Sequence, residues 1–268
     1  MKLQIMGSAA AEGWPAIWCR CDNCQRARQS GGKNIRTRSG SLVDEIFKFD
    51  WSMDTYAQAL TQNVDLSKVE HLIFTHIHGD HYQIYDLSLR RPPYAHGVPE
   101  YIHVWGDQWA IQGIRERYPN YPEEYLHELK AFEDYTVGDA TLTPLKAAHY
   151  PERGCFNYVF QRGGKTLFYG QDSGWFPEEH WEAQRRFVFD VVVLDCCGGA
   201  ISGGSVHGDV EQNIRVKERM LTEGTATEKT LFIANHFSHN GKLLHEELVA
   251  RLAPHNIMVS YDGMVVEV

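Results

Sequence analysis

The stretch Thr75-His76-Ile77-His78-Gly79-Asp80-His81 constrains this chain more than any other. Three histidines and an aspartate fall within six positions, directly after the apolar run Leu72-Ile73-Phe74. In an extended chain, side chains at i and i+2 point to one face. His76 and His78 can therefore serve one centre while Asp80 and His81 reach a second as the chain turns. A single His here would read as an ordinary residue of a solvated loop, but H-x-H-x-D-H has the spacing of clustered metal ligands.

The second half of the chain repeats one arrangement, an apolar strand closing on a His or Asp. Ala140–Ala148 delivers His149, and Lys165–Gln171 delivers Asp172. Val191–Leu194 delivers Asp195, and Thr230–Asn235 delivers His236, with His239 three residues on. Any one of these alone is commonly a turn or cap residue. Strand ends that share a rim would gather them into one site. Two metal ions about 3.5–4 Å apart need six or seven ligands, including a carboxylate that can bridge. His76, His78 and His149 make one three-residue set, and Asp80, His81 and His236 the other, with Asp172 spanning both. His207, in the Gly/Ser-rich stretch Ser205–Asp209, reads equally as an exposed loop residue or a functional one. The other histidines have no comparable context, and Cys155, Cys196 and Cys197 read as small core residues or unreactive thiols.

Cys19-Arg20-Cys21-Asp22-Asn23-Cys24 is a tight thiolate cluster that lacks one ligand of a tetrahedral structural zinc. A disulfide with one thiol left over, or a redox pair, are the alternatives. The first is disfavoured by a reducing compartment and the second by the absence of a strand leading into C-x-x-C.

At 268 residues the chain can bury a sizeable core, and it reads as one domain over 1–268, with the cysteine loop at about 19–24. Lys and Arg number 26 against 35 Asp and Glu, a net charge of −9 that disfavours gripping long nucleic acid. No apolar stretch approaches the ~20 residues of a membrane span, and the N-terminus is too short an apolar run for a signal peptide, so a cytoplasmic location is expected. Strands are expected at 2–6, 41–43, 46–50, 69–75 and 101–105, and helices at 53–60, 82–89 and 106–118. Gly7–Pro15 reads as a flexible loop of small residues.

H-x-H-x-D-H followed in order by His149, Asp172 and His236 resembles the motif series of the metallo-β-lactamase superfamily. More narrowly, the chain resembles PhnP-type phosphodiesterases, which hydrolyse 5-phosphoribosyl 1,2-cyclic phosphate. That likeness rests on the small-residue loop Gly7–Pro15, on Cys19, Cys21 and Cys24, on Ala234–His239, and on Ser260–Met264, which resembles the family's C-terminal strand. The resemblance implies an α/β fold, a four-layer αβ/βα sandwich with the metals at one edge. It implies that His239 completes a Cys₃His structural zinc site and that His207 is a general acid or substrate contact. Two active-site ions, zinc or manganese, would activate a water for attack on a small anionic phosphodiester, with Asp80 both ligating and orienting the nucleophile. A homodimer is the candidate assembly. Tyr82–Arg91 and Gln108–Tyr125 depart from the family's pattern, and they flank the metals in this superfamily. Substrate identity is therefore less constrained than reaction type. The rival readings are another hydrolase of the superfamily, acting on RNA 3′ ends, thioesters or lactams, and a non-catalytic zinc-binding scaffold of a cofactor-biosynthesis pathway.

Overall fold

Short stretches rich in β-branched and aromatic residues alternate with amphipathic helices along most of the chain, a pattern that favours sheets covered by helices. The computed structural model describes residues 1–150 and 153–268. One sheet takes β1 (Lys2–Gly7), β2 (Gly40–Val43), β3 (Phe47–Phe49), β4 (His71–Ile73), β5 (His103–Gly106) and β6 (Leu126–Glu128). The other takes β7 (Tyr135–Val137), β8 (Ala140–Lys146), β9 (Phe156–Arg162), β10 (Lys165–Gly170), β11 (Val191–Asp195), β12 (Leu231–Asn235) and β13 (Ile257–Val259). The last strand, β14 (Met264–Glu267), returns to pair with β1 and gives the first sheet the order β14-β1-β2-β3-β4-β5-β6. The second sheet runs in simple order from β13 to β7.

The two sheets face each other across a core built from both: Ile5, Phe47, Phe49 and Ile73 meet Leu142, Phe160, Tyr169 and Val193. Removing each such side chain from water contributes about 1.5–3 kcal/mol. The helices are α1 (Asp22–Ser30), α2 (Thr55–Gln62), α3 (Gln108–Arg117), α4 (Glu178–Gln184), α5 (Val210–Glu223) and α6 (His245–Leu252). Ala59 of α2 and Ala110, Ile111 and Ile114 of α3 cover the outer face of the first sheet, against Leu42, Leu72 and Val104. Residues of α1, α4, α5 and α6 cover the second, against Phe168, Val192 and Phe232. The result is the expected four-layer sandwich.

Strands β3 to β6 are mutually parallel, as are β10 to β13. Parallel strands buried on both faces read as unbroken apolar runs, as Val191-Val192-Val193-Leu194 does. Because β8 opposes β9 and β9 opposes β10, β8 runs with β10. The carboxyl ends of β8, β10, β11 and β12 therefore share one rim, where α/β sheets place their sites.

Two local expectations are corrected. The stretch expected as a helix over 82–89 is a 3₁₀ segment, Ile84–Arg90. The Tyr118 hydroxyl donates to the carbonyls of Ile84 and Tyr85, and Ser88 Oγ also donates to Tyr85, so acceptors that an α-helix would use are taken. Ser260–Gly263, expected as strand, is the turn before β14. There the Asp262 carboxylate accepts from Ser8 and Thr37.

Candidate metal centre

Beyond β4 the chain runs into Thr75–His81, and the carboxyl ends of β8, β10, β11 and β12 bring His149, Asp172, Asp195 and His236 to the same place. Asp50, at the end of β3, fixes the entry. Its Oδ1 accepts from Thr75 N–H at 2.8 Å and Thr75 Oγ1 at 3.0 Å. Its Oδ2 accepts from His81 Nδ1 at 2.8 Å, which turns His81 Nε2 toward the centre. Asp50, Asp172 and His236 have φ of 55°, 44° and 60°. Left-handed backbone is uncommon outside glycine, and its concentration here marks a site whose surroundings hold strain in place.

Two donor sets form. His76 Nε2 lies 2.9 Å from His78 Nδ1, and His149 Nε2 lies 3.0 Å from that same atom. Asp172 Oδ2 stands 3.5 Å from both Nε2 atoms. In the second set His81 Nε2 is 3.1 Å from Asp80 Oδ2 and 3.3 Å from Asp172 Oδ2. His236 Nε2 is 3.0 Å from Asp172 Oδ1 and 3.7 Å from Asp80 Oδ2. Donors about 2.0–2.1 Å from a tetrahedral ion stand about 3.3–3.4 Å from one another. Both sets have that span, and Asp172 belongs to both. His81 Nε2, His236 Nε2 and Asp172 Oδ1 are buried with no hydrogen-bond partner, a costly state that an ion between them would relieve. The residues present fit two divalent ions.

The electrostatics agree. Burial opposes a charge on His81 and His236. The carboxylates outweigh it, Asp172, Asp80 and Asp50 for the first and chiefly Asp172 for the second, and hold both rings well above the ordinary range. Burial likewise opposes the Asp80 and Asp172 charges and is outweighed by the same histidines, which hold both carboxyls well below theirs. Burial keeps His76 neutral, as a ligand must be. The centre calls for positive charge, which ring protons and divalent ions supply in competition.

His207 lies beside this centre. Its Nδ1 donates to Asp195 Oδ2 at 2.7 Å, and Asp195 is fixed in turn by the N–H groups of Ser173 at 3.2 Å and Cys197 at 2.8 Å. The His207 ring stacks on His236 with centroids 5.5 Å apart and lies 4.6 Å from His149. Its side chain is 28% exposed, against 1% for Asp195. Burial works against a charge on His207, but Asp195 outweighs it and raises the ring above its ordinary range. The supporting loop sits close to the rim because glycines let it. A Cβ on Gly174 would lie 2.0 Å from Ser205 O, and one on Gly208 2.3 Å from Asp195 O. The neighbouring Val206 carbonyl accepts from His149 Nδ1 at 2.9 Å, which leaves His149 Nε2 facing inward.

The cysteines come together with His239. Cys19 and Cys21 Sγ lie 3.7 and 3.3 Å from His239 Nδ1, and Cys24 completes a four-donor group. All six cysteines are free thiols. Burial opposes ionisation of Cys21, but the Cys24 N–H, His239 and the neighbouring thiols outweigh it and bring Cys21 down to about 6; burial pushes Cys24 up to about 12. His239 Nε2 faces Glu12 at 3.5 Å, the carboxylate–histidine arrangement that orients a ligand ring. Four residues of this region carried no assigned role in the sequence. Asp50 and Glu12 reach the candidate ligand rings of His81 and His239, and Asp195 pairs with His207 beside the centre. Cys197, expected to be an inert thiol, stands with His207 and His236 in a potential ligand group. The only local signal for Asp50 and Asp195 is an Asp closing an apolar strand.

The family model for the beta-lactamase superfamily domain matches residues 47–232, more than half of the chain. The chain belongs to the metallo-β-lactamase superfamily. Among solved structures of the fold, a diphosphatase from the PhnP family superposes with a TM-score of 0.76 at 20% identity, over 99% of this chain and 96% of that one. Zn²⁺-bound PqqB from Methylobacterium extorquens gives 0.70 at 16%, over 100% of both chains. The short form of human tRNase Z gives 0.63 at 14%, over 100% and 99%. At these identities the likeness is one of fold. No curated protein matches the chain by sequence. The solved structures of this fold include a diphosphatase, a tRNase and a possible metal-dependent hydrolase, and the His/Asp cluster of this chain suits a divalent metal. No helix is long and apolar enough to cross a membrane among the described residues.

Proposed function

We propose that this chain is a dinuclear-metal hydrolase of small phosphodiesters, such as 5-phosphoribosyl 1,2-cyclic phosphate, acting in the cytoplasm. The Cys₃His cluster would hold a structural zinc, and zinc or manganese would serve at the His/Asp centre, whose ligand types accept several divalent ions. The observation that carries this reading is the Asp195–His207 pair set beside the shared carboxylate of Asp172. The alcohol displaced from a phosphodiester leaves as an alkoxide and needs a proton, whereas a thiolate leaves without one. A histidine at the rim whose proton affinity is raised by a buried carboxylate answers that need. Two fold neighbours, a diphosphatase and a tRNase, carry names of the same broad chemistry, and the net charge of −9 favours a small substrate over long RNA.

In this reading His76, His78 and His149 would hold one ion, Asp80, His81 and His236 the other, and Asp172 would serve both. Bound there, the ions would lower the pKa of a water to about 7 and stabilise negative charge on the phosphoryl oxygens. Asp50 and the Val206 carbonyl keep the His81 and His149 rings in the tautomer that presents Nε2. Asp80, the most accessible carboxylate of the centre, orients the nucleophile. His207 donates Nδ1–H to Asp195 and so keeps its Nε2–H for the leaving oxygen.

Metal analysis together with a substrate screen tests this. Three ions per chain are expected, with turnover of cyclic phosphates and bis(p-nitrophenyl) phosphate and none of thioesters or lactams. A single ion confined to the cysteine cluster, with no turnover, would instead identify a zinc-binding scaffold.

A further inference from the structure

A fully buried lysine that the proposed chemistry does not use stands behind the metal centre. Lys48 lies on β3 at 0% exposure, on the sheet face that packs under α2 and α3, with Leu42 and Leu72 beside it across the ladder. Its hydrogen-bond partners are both backbone carbonyls: Nζ donates to Phe49 O at 3.0 Å and to Asp50 O. Gly40 leaves room for the amine, since a Cβ there would stand 2.7 Å from Nζ. Those two carbonyls flank the point where β3 ends and Asp50 takes its left-handed φ of 55°. The carboxylate of the same Asp50 holds His81 Nδ1 and Thr75 N–H, each at 2.8 Å.

We propose that Lys48 is a positioning residue for the metal centre: it binds the carbonyls of Phe49 and Asp50, fixes Asp50 in its left-handed turn, and so aims His81 Nε2. This rests on the reading of His81 as a metal ligand. Fold stability alone gives no reason to keep such a group. A well-packed apolar side chain in place of a buried charge is often neutral or stabilising. Burial, only partly offset by Asp50, already pushes the Lys48 amine down to about 7.

The test follows Mn²⁺ binding by its paramagnetic resonance signal, on protein whose cysteine cluster carries Zn²⁺. Manganese prefers imidazole and carboxylate to thiolate, so the signal reports on the His/Asp centre. Lys48→Met is expected to keep the wild-type unfolding midpoint or exceed it, yet bind Mn²⁺ about 10-fold more weakly, the lower end of the loss for an outer-sphere partner. Gly40→Ala keeps the charge but crowds the amine, and should weaken Mn²⁺ binding in the same direction. The double variant should lose no more than Lys48→Met alone, because both changes break one contact. His81→Ala is the control for the underlying assignment. If it leaves Mn²⁺ binding intact, His81 is not a ligand. If His81→Ala weakens binding while Lys48→Met and Gly40→Ala bind as wild type, the role of Lys48 is overturned. Should Lys48→Met fail to fold, Gly40→Ala decides alone, with unchanged affinity counting against the proposal.

Discussion

In the proposed mechanism His207 and Asp195 act as a pair, in which the first would carry the proton and the second, buried and anchored by two backbone N–H groups, would keep it there. His207→Ala should lower kcat about 10²–10⁴-fold on a diester with an alkoxide leaving group. The loss should be much smaller with p-nitrophenolate, which leaves unaided. Equal loss on both substrates would remove His207 from the role of acid. Asp195→Asn should act differently. Asp195 raises the proton affinity of His207, so its removal shifts the alkaline limb of the pH–rate profile to lower pH, a displacement that steady-state rates across pH would read. An unmoved limb would mean that the pair is only structural.

Among the elements, the segment after β12 joins the two candidate metal sites. His236 serves the His/Asp centre and His239 the cysteine cluster. Phe237 between them is stitched to the N-terminal loop by its N–H to Ser8 O at 2.8 Å and by Ala10 N–H to its carbonyl at 2.9 Å. Releasing zinc from the cysteines should therefore loosen a ligand of the other centre. Cys21→Ser is expected to lose its structural zinc, measured by metal analysis, and to lose about 10-fold or more in turnover, the scale on which outer contacts tune a metal site. A Cys21→Ser chain without that zinc but with wild-type turnover would show that the two sites are independent.

For the whole molecule, covering both outer sheet faces with helices seals titratable rings inside. His180 of α4 is fully buried, stacked on Phe176 at 4.3 Å, and donates Nδ1–H to Lys146 O at 2.8 Å. Burial pushes it down to about 4. The unfolded chain takes up a proton on this ring at about 6.5, the folded chain only near 4. Between those values the unfolded state binds more protons, so stability is full above pH 6.5 and falls as the pH drops toward 4, by about 3 kcal/mol for this group. His71, His127 and His245, each lowered to about 4 with burial as the main cause, act in the same direction. Urea unfolding at pH 7 and pH 5 should show a marked loss in the wild type. His180→Phe should lose about 2 kcal/mol less over the same interval. Equal losses in the two proteins would place the acid sensitivity elsewhere.

The short-range pattern by itself determined a good deal. H-x-H-x-D-H, the C-x-C-x-x-C cluster and the strands ending at His149, Asp172 and His236 are legible because ligand spacing and strand periodicity act over a few residues. The layer order is implied by the superfamily resemblance that those motifs carry, not by periodicity. Tertiary structure alone decided which distant groups orient the ligands. Asp50 reaches His81 across 31 positions and Asp195 reaches His207 across 12, while Glu12 meets His239 from near the opposite end of the chain. No spacing rule links such pairs. Asp50 and Asp195 meet their partners because parallel strands of two sheets end at one rim, and Glu12 meets His239 because the loop after β1 is bonded to the segment after β12. Long-range contact also explains the missed 3₁₀ segment, where the Tyr118 hydroxyl, 34 positions away, takes the carbonyl of Ile84. It also explains Lys48, which reads in sequence as a polar interruption of an apolar strand. Only the packed sandwich turns that charge toward two carbonyls behind the centre, because burial leaves a buried ammonium no water and makes it seek the nearest acceptors.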